Sequence, residues 1–183
     1  HLTKDHSENI CSRLLEGFRR EGYSFLKHVR GHFLITVVLT SEKRAYLAVD
    51  RIARSPLSCC VVDKCLVFGS QAIAINQHPA IEPDLDLQAL YNFFYFHYIP
   101  SPQAAFKGQI QVPYGNCVVF DKGKITLRRY WDIEYRNEYG HQTTDDYREQ
   151  LFDLFRKSVD EQLQDDIKVG AFLSGGIDSS SVA

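Results

Sequence analysis

At 183 residues the chain could form one large domain or two small ones, and folding would bury about 70% of its unfolded surface. Apolar residues make up 44% and charged residues 24%, the balance of an ordinary soluble globular protein. A net charge of −2 gives no general attraction to nucleic acid or an anionic membrane. No apolar run approaches the ~18 residues of a bilayer span, and no basic-then-apolar leader is visible.

The five cysteines are Cys11, Cys59, Cys60, Cys65 and Cys117. Their number is odd and none stands in C-x-x-C, so neither a zinc site nor a disulfide framework is expected. Cys59, Cys60 and Cys117 sit in apolar runs, where cysteine behaves as a small buried hydrophobe. A reducing, cytoplasmic setting fits that usage. The seven histidines suggest no cluster with carboxylates, so no metal site built from protein side chains alone is expected. The chain lacks methionine, begins at His1 and stops at Ala183 just as a helix starts. An internal fragment, cut at both ends, is therefore expected.

Taken in order, Ser7 to Arg20 carries Ile10, Leu14, Leu15 and Phe18 as the stripe of an amphipathic helix, with Gly22 as its terminator. Phe33 to Leu39 and Ala45 to Val49 read as strands joined by SEKR at Ser41 to Arg44. Leu57 to Val62 and Cys65 to Phe68 make a second hairpin about Asp63-Lys64, and a short helix follows from Gln71. Leu85 to Tyr98 places Leu87, Leu90, Phe93, Phe94 and His97 at helical spacing. Such aromatics could form a base-stacking platform. A core or domain-boundary helix ended by Pro100 is the preferred reading, with His97 packed rather than catalytic.

Asn116 to Asp121 and Ile125 to Trp131 form a third hairpin around DKGK. Glu134 to Thr144 is polar and aperiodic, as an interdomain linker would be. Thr144 then reads as an N-cap, with Asp145 and Asp146 in the first turn. Tyr147, Leu151, Leu154, Phe155, Val159 and Leu163 mark the stripe of the following helix. Ile167 to Leu173 reads as a buried strand.

The end of the chain, GAFLSGGIDSSSVA from Gly170 to Ala183, carries the clearest chemistry. A strand, a glycine turn and a helix start together make an anion site, because glycines let backbone N–H groups approach a ligand. The serine hydroxyls add donors, which points to phosphate or pyrophosphate. A Walker loop would need a lysine after its glycines, and none follows Lys168. The G-x-G-x-x-G of dinucleotide folds is absent too. By composition alone, the six fixed positions of Ser-Gly-Gly-x-Asp-Ser-Ser should recur in roughly one chain in 10⁵ of this length. The run resembles the pyrophosphate loop of the N-type ATP pyrophosphatases, which cut ATP between its α- and β-phosphates.

Several segments together resemble the glutamine-dependent asparagine synthases. They are RGHFLITVVLTSEKRAYLAVDR (Arg30 to Arg51), LVFGSQAIAI (Leu66 to Ile75), the stretch Leu85 to Asp132, and VGAFLSGGIDSSSVA (Val169 to Ala183). The stretch to Asp132 includes Tyr-Ile-Pro-x-Pro, Phe-Lys-Gly, Pro-x-Gly and Arg-Tyr-Trp-Asp. The resemblance implies an α+β fold: residues 1–142 as part of an N-terminal-nucleophile (type 2) glutamine amidotransferase sandwich, α-β-β-α. Residues 143–183 would open an α/β ATP pyrophosphatase domain with its first helix, strand and loop. The implied substrates are glutamine, aspartate and ATP with Mg2+, in a cytoplasmic enzyme without nucleic-acid or membrane partners. A homo-oligomer is left open.

Carried over by position, the resemblance places Leu173 on the adenine or ribose side. Ser174, Gly175, Gly176, Ser179 and Ser180 would cradle the phosphates. Asp178 would orient the loop or approach the magnesium; as a first-turn acid it also suits the helix dipole. The family's nucleophilic cysteine has no counterpart among the five, and no Asn-Gly-Glu run grips glutamine. Asp5 and Glu8 are candidates for holding the glutamine amino group, but neither aligns without a gap and neither is assigned. In the family's Arg-Asp-x-x-Gly-x-x-Pro-Leu turn this chain reads DRIARSPL (Asp50 to Leu57), with the glycine read as lost at Arg54. Gln71 stands where the family has glutamate. These departures keep two alternatives open. One is a related amide-forming ligase with a vestigial glutaminase domain, of β-lactam synthetase or peptide cyclase type. The other is a non-catalytic nucleotide-binding remnant.

Overall fold

Runs of β-branched and aromatic residues separated by short polar turns build the first part of the chain into two antiparallel sheets. The computed structural model describes residues 7–135, 143–163 and 168–183. Contacts divide the chain into two units, His1–Glu134 and Tyr135–Ala183.

In the first unit, helix α1 (Ser7–Glu21) runs into a 3-10 segment, Gly22–His28, with Gly22 at φ +60°. Strands β1 (Leu34–Leu39) and β2 (Arg44–Val49) pair antiparallel, Leu34 opposite Val49. β3 (Ser58–Val62) and β4 (Cys65–Gly69) form the next hairpin, followed by the short α2 (Ala72–Ile75) and α3 (Leu87–Phe96). β5 (Ile110–Gln111), β6 (Asn116–Asp121) and β7 (Lys124–Arg129) complete the unit. The strand orders are β1-β2-β6-β7 and β4-β3-β5. Two hairpins close with adjacent left-handed residues, Asp63 (φ 49°) with Lys64 (φ 61°) and Lys122 (φ 49°) with Gly123 (φ 80°). That pairing suits the right-handed twist of the flanking strands.

Alternation along β2 and β6 sorts the core into two halves. Tyr46, Ala48 and Cys117 face Phe18 and Leu26, so α1 and the 3-10 segment cover one side of the four-stranded sheet. Leu47, Val49 and Val118 face the other way, onto Leu57, Cys59 and Val112 of the second sheet. α2 packs beside β3 and β4 with Ile75 buried. The result is a helix layer and two stacked sheets, mixed α and β.

Three sequence expectations need correction. The first concerns α3. Asp86 caps it, its carboxylate accepting from the Gln88 and Ala89 N–H groups at 2.9 and 3.1 Å. His97 at φ 61° ends it, before Pro100. Only Ala89 of this helix is buried, while Leu87 is 73% and Phe94 72% exposed. It is not a core helix of its unit, and His97 is exposed rather than packed. Gln88 and Asn92 make one polar strip, bonded to each other at 3.0 Å, and the broad apolar remainder does not say which side is covered.

The other two lie in the second unit. α4 (Thr144–Asp160) starts one residue earlier than read, because Thr143 is the cap. Thr143 Oγ1 accepts from the Asp146 N–H at 3.2 Å, and the Asp146 carboxylate accepts from the Thr143 N–H at 2.7 Å. The reciprocal pair satisfies two donors that the helix cannot. Residues 168–173 form no strand, and Phe172 is 99% exposed. A strand needs a neighbour to take its N–H and C=O groups; the described residues of this unit include no other strand to provide one. Ile167 and most of the linker read from Glu134 to Thr144, its residues 136–142, lie outside the described residues, as does Asp5.

The cysteines divide as their runs imply. Cys59, Cys60 and Cys117 are buried, Cys11 and Cys65 exposed. Burial pushes the Cys59 and Cys117 thiols up from 9.0 to about 12 and raises Cys60 as well. Raised thiol values in the fold mean that the unfolded chain sheds these protons first. Stability carried by the neutral thiols is therefore complete below pH ~9 and declines as pH rises towards ~12. At pH 8 an alkylating thiol reagent is expected to modify Cys11 and Cys65 within minutes. The other three should react only after denaturant is added; mass spectrometry of the labelled peptides reads the difference.

Candidate functional site

Two places concentrate chemistry, one in each unit. In the first, segments far apart in sequence converge on the turn after β2. Asp50 is 2% exposed, and its carboxylate accepts from the Ile52 N–H at 3.0 Å and the Phe33 N–H at 3.4 Å. The Gly115 N–H donates to the Asp50 carbonyl at 3.2 Å, and the Gly115 carbonyl accepts from the Tyr130 and Trp131 N–H groups at 2.9 and 3.1 Å. The buried Tyr130 hydroxyl donates to the Val49 carbonyl at 2.7 Å. Burial also holds that hydroxyl well above its ordinary pKa. The Arg51 guanidinium lies over the Trp131 ring, 5.5 Å from its centre, and donates to the Lys27 carbonyl at 3.2 Å. So Asp50-Arg51, Pro-x-Gly115 and Arg129-Tyr130-Trp131-Asp132 form one lock around a single turn. Sequence reading quoted all three segments without bringing them together.

The left-handed residue of that turn is Ala53, at φ 49°. This corrects the reading at Arg54: counting back from Pro56-Leu57, the motif's glycine falls on Ala53, where the backbone calls for it. An L residue there costs about 1–2 kcal/mol, partly offset because glycine costs about 0.4–1 kcal/mol more entropy on folding. Ala53→Gly is expected to stabilise the chain by about 0.5 kcal/mol, read as a small rise in the midpoint of thermal or urea unfolding. Any loss of stability would show that the turn tolerates alanine without strain.

The second place is the loop Ser174 to Ser180, before and within α5 (Ile177–Val182). Gly175 has φ +79° and Gly176 is the extended N-cap, which turns the chain sharply into the helix. The Ser174 and Ser179 hydroxyls stand 3.0 Å apart, and Ser179 Oγ accepts from the Ser174 N–H at 3.3 Å. The Gly176 N–H donates to Ser174 Oγ at 3.4 Å, and the Ser179 hydroxyl donates to the Gly176 carbonyl at 3.2 Å. These bonds tie both ends of the loop together. The amides of Ile177, Asp178 and Ser179 fall in the first helical turn, which supplies no carbonyl for them. Leu173 is 65% exposed, and Ser174, Gly175, Gly176, Asp178 and Ser180 also lie in or beside the bend. The expected site residues thus come together in one loop.

Histidine spacing hides one pattern that sequence reading missed. His28 and His32 stand four apart, as in H-x-x-x-H. The spacing gathers ligands only on a helix, and the 3-10 segment ends at His28. His28 faces Glu21 at 3.6 Å, while His32 Nε2 bonds Ser55 Oγ at 2.9 Å and lies 3.9 Å from Asp50 Oδ2. Among the described residues no three His, Cys, Asp or Glu side chains gather as a metal-holding group.

Comparison with known proteins follows the same division. Residues 5–131 match the family model of the glutamine amidotransferase domain, and residues 150–183 that of asparagine synthase. The chain is 30% identical over 156 residues to asparagine synthetase [glutamine-hydrolyzing] 3 of Bacillus subtilis, covering 85% of this chain and 25% of that protein. It is 26% identical to asparagine synthetase [glutamine-hydrolyzing] 2 of the same organism, covering 100% of this chain and 26% of the relative. Amidase chyE of Penicillium rubens is 27% identical, over 94% of this chain and 26% of its own length. The chain thus spans about a quarter of the length of these relatives.

Proposed function

The chain belongs to the asparagine synthase family, and from that premise we propose that it serves an ATP-dependent, glutamine-using ligase that makes asparagine. Residues 1–142 are the amidotransferase portion, of N-terminal-nucleophile type, and residues 143–183 the start of the ATP pyrophosphatase portion. In the overall reaction the aspartate β-carboxylate attacks the α-phosphate of ATP, giving β-aspartyl-AMP and pyrophosphate. Ammonia released from glutamine then displaces AMP.

The observation that carries this reading is the bend at Gly175-Gly176, with Gly175 at φ +79° and Gly176 the extended N-cap of α5, braced by the Ser174 and Ser179 hydroxyls. In our reading Ser174, Gly175, Gly176, Ser179 and Ser180 hold the departing pyrophosphate, and Leu173 borders the adenosine side. Donors fixed in advance at a leaving group stabilise the charge that grows there. A Cβ at Gly175 would meet nothing within 4 Å, so no protein atom crowds the bend on that side. Magnesium keeps several waters and takes one or two carboxylates besides phosphate, and Asp178, in the first turn, fits as one such carboxylate. The metal would offset phosphate charge. We place the enzyme in the cytoplasm, without nucleic-acid or membrane partners; among the described residues no helix is long and apolar enough to cross a membrane.

The test is pyrophosphate release by the longer protein to which this chain belongs. Release that requires both ATP and aspartate, with glutamine as the nitrogen source, supports the reading. Gln71 and the amidase relative favour a second reading, a related amide-forming ligase with a vestigial glutaminase domain. Release that ignores aspartate and requires another carboxylic acid would decide for it. No release with any acid would leave a nucleotide-binding remnant.

A further inference from the structure

Independently of that reaction, we propose that three hairpin tips at one end of the first unit form a docking surface for a carboxylate-rich peptide segment. Strand register brings the tips together. Arg44 at the start of β2 stands opposite Asp121 at the end of β6. The turn between β1 and β2, with Lys43, therefore lies beside the turn between β6 and β7, with Lys122 and Gly123. The turn between β3 and β4 reaches the same place from the second sheet, because a Cβ on Gly123 would stand 3.0 Å from that of Lys64. Lys43, Lys64, Lys122 and Lys124 are all exposed.

The backbone at the tips is what singles them out. Lys43, Lys64 and Lys122 have φ of 52°, 61° and 49°. They are three of the six non-glycine residues at positive φ among the described residues. Such positions favour glycine, asparagine or aspartate, and a lysine there costs stability. Setting like charges on neighbouring turns costs more. The lysines are thus not what the turns themselves call for, and strained residues of this kind gather at binding sites.

Nearby acids do not cancel the charge. Arg44 takes up two of them, Glu42 at 3.1 Å and Asp121 at 3.3 Å. None of the four lysines forms an ion pair among the described residues. An ammonium is a compact charge without the fork that grips one planar anion. Four of them on three turns suit several carboxylates in succession rather than a single small ligand. The whole chain is net −2, which works against a long polyanion such as RNA. Attraction is confined to about a Debye length, ~8 Å at physiological salt, so a short acidic segment is the match.

The test uses the longer protein and a fluorescein-labelled oligoglutamate peptide, read by anisotropy. Lys43→Asn, Lys64→Asn and Lys122→Asn combined are expected to weaken binding by about 10-fold or more, the sum of three exposed ion pairs. Asparagine suits the left-handed region, so the melting temperature of this variant should hold or rise by about 2 °C. A fall would show that the lysines serve the fold, and would overturn the proposal. Arg13→Gln, Arg19→Gln and Lys27→Gln combined remove the same charge elsewhere in the unit and should weaken binding by less than about 2-fold. Equal weakening in the two variants would reduce the effect to net charge. An RNA oligonucleotide bound as tightly at the same salt would assign the surface to nucleic acid. Either result, or no binding of the peptide by the parent protein, overturns the proposal.

Discussion

Gly175→Val in the longer protein is expected to lower aspartate-dependent pyrophosphate release by about 100-fold or more, the usual cost of losing a fixed oxyanion donor. The cause would be backbone conformation rather than crowding. Gly175 has φ +79°, a value that a β-branched residue rarely adopts. A Cβ there meets no protein atom within 4 Å, so that carbon displaces no neighbour. What changes is the direction of the peptide planes on either side. The Gly176 N–H then leaves Ser174 Oγ, and the bond that sets the Ser174 and Ser179 hydroxyls 3.0 Å apart loses its support. If these groups act mainly on the leaving pyrophosphate, kcat falls more than KM rises. In the 183-residue chain, where the loop is exposed, the same substitution should leave the melting temperature near that of the parent. Unchanged turnover in a well-folded Gly175→Val protein would remove this loop from the reaction.

What could be read in advance, and what could not, divides by distance along the chain. The hairpins at Asp63-Lys64 and Lys122-Gly123 were legible because the turn residues and flanking β-branched runs are local signals. The amphipathic α1 was legible for the same reason: Leu14 and Phe18 repeat at the helix period, and Phe18 is 1% exposed. The lock around Asp50 was not. It joins residues 50–53, 115 and 129–132, and nothing in any one segment announces the other two. For α3, read as a core or domain-boundary helix, only the core alternative fails, since a broad apolar face looks the same covered or uncovered. The glycines at Gly175 and Gly176 announced a tight bend, which the structure has, but not how the serines of the loop divide their bonds. A hydroxyl that braces Gly176 and one that faces a ligand are the same letter in a sequence. The strand read at Ile167 to Leu173 depended on a neighbour that the described residues of its unit do not contain.

Gly115→Ala is expected to cost the first unit about 3 kcal/mol or more, the largest single-methyl effect foreseen in the chain. Gly115 sits at φ +61°, where alanine costs about 1–2 kcal/mol by itself. The added carbon would also overlap the Trp131 carbonyl oxygen and approach the Trp131 ring at 3.3 Å. Neither obstacle is the loose end of a side chain. Trp131 is fixed by its own N–H, which donates to the Gly115 carbonyl at 3.1 Å, and by Arg51 stacked on its ring. Relief requires Gly115 to move, which breaks its bond to the Asp50 carbonyl. Overpacking against backbone adds about 1–3 kcal/mol, and the two costs together lower the melting temperature by about 10 °C at this chain length. Gly108→Ala is the control. Gly108 has φ +74°, close to that of Gly115, but a Cβ there meets nothing within 4 Å. It should therefore show the conformational cost alone, about 1–2 kcal/mol. Calorimetry of the two variants separates strain in one residue from the lock that holds Asp50. Equal losses at both glycines would show that the turn yields, and that Trp131 is not the fixed wall this geometry describes.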